Sequence, residues 1–198
     1  MTGGELRPDE HYDGERFADV VFDETAAGNC LFLDCSFVNV SFREGRLRKC
    51  RFTDTTMREV RIVATDLAET AWQDVTLTGC ALAGVQAHSA DWRRVVFLEG
   101  KLDSVNFRGG TFADVRFENC LLPDADFSGA ILHRVSFGGC ILTGADFTHA
   151  TCTSVDLRGA SLGIADGLGS LAGSTIDSVQ LLALAPQLAQ HLGITVAD

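Results

Sequence analysis

Large apolar residues recur along this chain with a period of five. Every phenylalanine, both tryptophans and the single tyrosine occupy positions whose numbers end in 2 or 7, from Tyr12, Phe17 and Phe22 through Trp72 and Trp92 to Phe137 and Phe147. Leu47, Met57, Ile62, Leu67, Leu77, Leu82, Leu102, Leu122, Leu132, Leu142, Leu157 and Leu162 fill most of the gaps. A second ladder lies two residues before each bulky one and holds only small side chains, among them Val20, Thr25, Cys30, Cys35, Val40, Gly45 and Cys50. The positions between are mostly polar. Each unit of five therefore turns one large and one small side chain inward and three outward. Counting from Phe17 to Leu162, (162 − 17)/5 + 1 gives thirty units without a slip in phase.

A period of five fits neither the two-residue repeat of a strand nor the 3.6-residue repeat of a helix, so it predicts a repeat architecture. A solenoid buries its core by stacking, not one repeat at a time. Segments such as Ala125-Asp126-Phe127-Ser128-Gly129, Ala145-Asp146-Phe147-Thr148-His149 and Val155-Asp156-Leu157-Arg158-Gly159 resemble the A(D/N)LXX motif of pentapeptide-repeat proteins. That resemblance implies an all-β solenoid: a right-handed quadrilateral β-helix of about 7.5 coils, roughly 36 Å long at the usual strand spacing, with a short C-terminal α-helix. Four units per coil place residues twenty apart on one face, so Phe32, Phe52, Trp72, Trp92, Phe112, Leu132 and Cys152 are expected to stack inward. The expected organisation is an N-terminal cap over 1–14, the repeat rod over 15–164, and a connector, helix and tail over 165–198.

After Leu162 the repeat gives way to the glycine-rich stretch Gly163–Gly173, a connector that lacks the Lys and Ser/Thr of a phosphate loop. Asp177 with Gln180 three residues on forms a capping box. Leu181, Ala185, Leu188 and Leu192 then follow helical spacing, and Gly193 ends the helix. Pro186 inside this pattern predicts a kink or a division in two. Ile194 and Val196 read as a short strand-like tail.

The seven cysteines suggest neither metal nor disulfide. Six occupy the small inward ladder, Cys152 the large one, and no CxxC pair exists. No cofactor or metal is expected. No acid/base pair sits in a recognisable catalytic motif, and His88, His133 and His149 fall at outward positions, so the chain does not read as an enzyme. No apolar run reaches membrane length, and the acidic start, Met1–Arg16, is no signal peptide, which points to the cytoplasm.

Net charge is −11, unevenly spread. Residues 1–34 carry nine acids and two bases (−7), 35–119 eleven acids and twelve bases (+1), and 120–198 seven acids and two bases (−5). Such an acidic balance argues against direct nucleic-acid binding. Within the middle, Arg43, Arg46, Arg48, Lys49 and Arg51 wrap one coil and are expected to pair with Glu44, Asp54 and Glu59.

The segments Leu171-Ala172-Gly173, Ile176 to Gln180 and Leu192 to Val196 resemble the C-terminus of the Qnr quinolone-resistance group and its mycobacterial relative MfpA. The unbroken register, without the loops of Qnr proteins, is closer to the MfpA type. This resemblance implies a homodimer through the C-terminal helix and tail, with Leu181, Leu184, Ala185, Leu188, Leu192, Ile194 and Val196 at its interface. It also implies an acidic rod that mimics DNA and binds DNA gyrase or topoisomerase IV. The acidic surface for that partner would comprise Asp124, Asp126, Asp146 and Asp156, with a column of Asp34, Asp54, Asp74 and Asp114 interrupted by Arg94. Asp at the second motif position also serves turns, which offers a structural role for Asp126, Asp146 and Asp156. The alternative is a structural or protein-interaction scaffold with no topoisomerase target. Its clues are outward apolar residues: Leu31 and Leu33, Val96 and Leu98, and Leu121 under Ile141, all expected to be covered by the N-terminal segment or the C-terminal helix.

Overall fold

Alternation along each pentapeptide sets the local structure. In a three-residue strand the central side chain faces one way and its neighbours the other. Here the large residue is the centre, so Leu31-Phe32-Leu33 or Ala71-Trp72-Gln73 buries one side chain and turns two outward. In the computed structural model, which describes residues 5–197, these strands stack in parallel with a register of twenty residues: Phe52 lies on Trp72, Trp72 on Trp92, Trp92 on Phe112. The chain is a four-sided β-helix.

The first face is an eight-stranded parallel sheet from His11–Asp13 to Thr151–Thr153. The second holds nine strands, from Arg16–Ala18 to Val155–Asp156, with Ser174–Thr175 added at the end. The third has five, from Val21–Asp23 to Lys101–Asp103, continued by single bridges through Leu121, Ile141 and Ser161. The fourth is a ladder of single bridges only, Ala26 to Arg46 to Asp66 and on to Asp166. The first rung starts at His11, ahead of residue 15.

The fourth face departs from strand geometry for a local reason. Its Asp66, Asn106, Asp126 and Asp146 side chains each accept the backbone N–H two residues on, at 2.7–3.1 Å. This Asx geometry tightens the backbone into a turn. Carbonyls such as Phe127 O then take the N–H three residues on, here Ala130, at 3.0 Å.

Inside, the bore is filled by ring stacks. On the first face Tyr12, Phe32, Phe52, Trp72, Trp92 and Phe112 stack near-parallel with centroids 4.1–5.9 Å apart. Neighbouring columns meet them edge-on, as Phe107 meets Phe112 at 80°. Offset stacks and edge contacts suit the ring quadrupole. Each buried ring contributes about 1.5–3 kcal/mol by transfer. Ala27 and Ala87, fully buried beside large neighbours, keep the filled volume even.

The small ladder has a reason of its own. Cys30, Cys35, Cys50, Cys80, Cys120 and Cys140 each donate S–H to the carbonyl twenty-three residues earlier, at 3.0–3.6 Å. All seven cysteines are free and buried. Burial pushes the Cys50 thiol up to about 12 and Cys80 to about 11, which suppresses thiolate chemistry. Thr70 uses the same ladder differently: its hydroxyl donates to Leu67 O at 2.7 Å and accepts Trp72 Nε1–H at 2.9 Å. One rung on, Ala90 stands in that place, and Trp92 Nε1 is buried without a partner.

The two ends are closed differently. Leu6 seals the first rung. At the other end helix α1, Ser178–His191, crosses the last rung. Asp177 and Gln180 form the predicted capping box. Gln180 also turns its amide into the rod, donating to Leu157 O and Ala160 O at 2.5 and 2.7 Å. It thereby satisfies carbonyls that a further rung would otherwise take. Pro186 does not divide α1, which runs unbroken from Ser178 to His191. The carbonyl it leaves without an intrahelical partner belongs to Leu182, an exposed residue, which places it on the face where solvent has access.

Candidate protein-interaction surfaces

Three surfaces carry outward chemistry: an acidic corner, a basic belt and an apolar end.

The acidic column occupies the corner between the first and second faces. Asp34, Asp54, Asp74 and Asp114 all have left-handed backbone there, with φ of 50–58°. Asp and Asn tolerate that region better than most residues, so the corner itself favours them. The column is also less acidic than its sequence suggests. Arg94 holds Asp74 bidentately at 2.6 and 2.7 Å, and Arg134 holds Asp114 at 2.5 and 2.7 Å. Both carboxyls are held below their usual range by these guanidinium hydrogen bonds. Residues twenty apart stack at one corner, which is the signal that makes Arg134 a member of the ladder beside Arg94.

Of the remaining acidic candidates, Asp126 is bound by Arg108 at 2.5 Å and Asp156 by Arg158 at 2.7 Å. Asp126, Asp146 and Asp156 also accept the N–H two residues on, so all three serve their turns. Among the described residues, Asp34, Asp54, Asp124 and Asp146 make no ion pair. Nor do Glu5, Asp9, Glu10, Asp13, Glu15, Asp19, Asp23 and Glu24, which surround the first rungs. Together with Asp34 they form a denser unpaired acidic surface than the column. The charge count over residues 1–34 was the sequence signal for it.

The basic belt pairs differently from expectation. Arg48 reaches Glu69 at 2.6 Å and Asp66 at 3.6 Å, and Lys49 reaches Glu69 at 3.6 Å. Glu44, Asp54 and Glu59 are not the partners. Arg48 and Lys49 instead meet acids about one rung further on, where stacked residues sit one strand spacing away.

The apolar end is split by α1. Leu184 is turned into the rod and 3% exposed, so it serves the chain's own cap and is not free for an interface. Leu188 is half-buried, and Ala185 is exposed. Leu181, Leu192, Ile194 and Val196 are exposed, as are Val179 and Leu182, which the spacing argument missed because they lie outside the chosen stripe. On the rod, Leu31, Leu33, Val96 and Leu98 are half-buried between stacked neighbours. Leu121 and Ile141 are exposed: neither the N-terminal segment nor α1 covers them, because those segments lie over the rod's ends.

Among the described residues no group of three or more His, Cys, Asp or Glu is placed to hold a metal ion. No described helix is long and apolar enough to cross a membrane.

These features define a parallel β-solenoid whose outward residues are the ones available to a partner. The chain belongs to the pentapeptide-repeat family: the pentapeptide repeat region description matches residues 29–107, and the pentapeptide repeats (8 copies) description matches 101–139, 111–148 and 132–163. No curated protein matches the chain. Among solved structures, a trypsin-treated variant of QnrB1, a plasmid-mediated fluoroquinolone resistance protein, is 22% identical with a TM-score of 0.60, covering 95% of this chain and 100% of that one. HetL, a pentapeptide repeat protein involved in heterocyst differentiation regulation from the cyanobacterium Nostoc sp. strain PCC 7120, is 17% identical with a TM-score of 0.56, covering 87% and 92%. At these identities the likeness is one of fold.

Proposed function

We propose that this protein is a DNA-mimicking partner of a type II topoisomerase, DNA gyrase or topoisomerase IV. In this reading it works in the cytoplasm as a homodimer joined through α1 and the tail. The observation that carries the reading is the combination of a filled rod of stacked rungs with net charge −11 and unpaired carboxylates toward its ends. Duplex DNA presents about one negative charge per 1.7 Å of axis, held on a stiff cylinder. A stacked β-helix offers charge on a similarly rigid support. Joining two C-terminal segments of −5 each gives an acidic centre of −10, flanked at each far end by a segment of −7. Of the eight acidic candidates, Asp34, Asp54, Asp124 and Asp146 are free to meet basic groups. Asp74, Asp114, Asp126 and Asp156 must first give up an arginine.

The test is gyrase supercoiling with and without a fluoroquinolone. Inhibition at about micromolar dimer is expected. An enzyme unaffected at tens of micromolar overturns the reading. The drug arm reports whether binding also protects.

A second reading is a protein-interaction scaffold. It is favoured by the arginine pairs that neutralise half of the acidic candidates. Enrichment of topoisomerase subunits, against none, in a pull-down from extract separates the two.

A further inference from the structure

The third face differs from the rest of the rod. Of the five large apolar side chains exposed on the described rod, Val21, Val63, Leu121 and Ile141 lie on this face and Ile131 elsewhere. The same face holds cations without partners. All seven Lys and Arg beyond Arg61 have a carboxylate within 3.6 Å. Among the described residues Arg43 and Arg61 have none, and both are exposed. Acids are at hand: Asp23 stacks one rung from Arg43, and Glu59 lies two residues from Arg61.

A free arginine by itself says little, because exposed ion pairs contribute little. Free arginines beside four exposed aliphatic side chains on one sheet are different, since apolar patches rimmed by polar groups mark interaction sites. The order along the face is simple. Arg43 lies in the second rung, Arg61 and Val63 in the third, Ala81 and Ala83 in the fourth, Leu121 in the sixth and Ile141 in the seventh. The alanine rung leaves the path between cations and aliphatics low. Val21 to Ile141 is six strand spacings, about 29 Å, which an extended segment of about nine residues covers. This face also turns away from the acidic corner, which lies between the first and second faces. A chain of net charge −11 repels a strongly acidic partner, so the complementary segment is mainly apolar with few carboxylates.

We propose that the third face docks an extended segment of another protein, bearing two carboxylates and, about four residues on, a pair of aliphatic side chains. The carboxylates meet Arg43 and Arg61, and the aliphatic pair covers Leu121 and Ile141. Arg61 to Leu121 is three strand spacings, about 14 Å, which sets the interval of about four residues. A contact of this size is a transient one, with Kd of about 10 µM expected. It does not depend on the topoisomerase reading, because it uses a different face and the opposite charge.

Selection of phage-displayed nonapeptides on the full chain tests this, followed by fluorescence anisotropy with the labelled winners. The winners are expected to carry two acids followed by two aliphatic residues. Arg43→Gln with Arg61→Gln, and Leu121→Ser with Ile141→Ser, should each weaken binding at least about tenfold. These side chains are exposed, so thermal melts should stay unchanged. Asp34→Asn with Asp54→Asn, at the acidic corner, should leave binding as in the parent. Changing the two acids of the peptide to serine should weaken binding to the parent about tenfold and leave binding to the arginine variant unaltered, as a coupled pair requires. Winners without acids overturn the proposal, as do winners that bind either face variant as well as the parent. Self-association of the parent that Leu121→Ser with Ile141→Ser abolishes also overturns it, because the face then belongs to a second copy.

Discussion

The rod and α1 use apolar residues in opposite ways. Along the rod, Phe32 to Phe147 are sealed by rungs above and below, and outward positions are mostly polar. In α1 only Gln180 and Leu184 are buried, while Val179, Leu181 and Leu182 face solvent. The rod is self-sufficient because each rung is covered by the next. The helix is not, because a single helix across the end of a solenoid can bury only one of its faces. The difference separates the rungs, which carry the stability, from the end, which leaves apolar side chains exposed.

The comparison breaks first if the rungs are not the source of stability. Phe97→Ala removes a ring stacked on Phe117 at 4.7 Å and should cost about 3–5 kcal/mol in denaturant unfolding. A loss below about 1 kcal/mol would mean that the stack is not cooperative. Gln180→Ala strands the Leu157 and Ala160 carbonyls and should cost about 1–3 kcal/mol, read as faster amide exchange in α1 while the middle rungs stay protected. In the core, Ala90→Thr supplies the hydroxyl that Trp92 Nε1 lacks and should stabilise by about 1 kcal/mol, whereas Thr70→Ala should destabilise.

The capping carboxylate adds a pH dependence at the same end. Backbone N–H groups of Gln180 and its neighbours lower the Asp177 pKa below its ordinary value. A depressed carboxyl stabilises the fold fully above its unfolded pKa, and that contribution is lost as pH falls through the folded value. Protection factors in α1, taken against the intrinsic exchange rate at each pH, should therefore fall below about pH 4, and Asp177→Asn should flatten the profile. The smallest effect on stability is expected for Leu182→Glu, within about 0.5 kcal/mol because the side chain is exposed. If the outward helix face associates, the same variant weakens the dimer.

Much of this was legible in the residues. Period and register place Trp72 on Trp92 without coordinates, because a chain that alternates large-inward and small-inward residues every five positions has one way to bury both. The fourth face was readable in part: Asp or Asn after the small residue signals the Asx turn. Less legible was the acidic surface, since the availability of several acids depends on a residue one rung away. Arg94 and Arg134 decide Asp74 and Asp114 from twenty positions off. The arginine belt was misjudged for the same reason, by treating neighbours in sequence as neighbours in space.

Sequence alone determined the solenoid, its inward ladders, the burial of the cysteines and the capped helix, because these follow from short-range periodicity and local hydrogen bonding. Only the tertiary structure decided which carboxylates are free, which face of α1 is spent on the rod, and that Leu121 and Ile141 stay uncovered. Those properties depend on how rungs stack and where the end elements cross, and stacking brings together side chains that the linear chain keeps far apart.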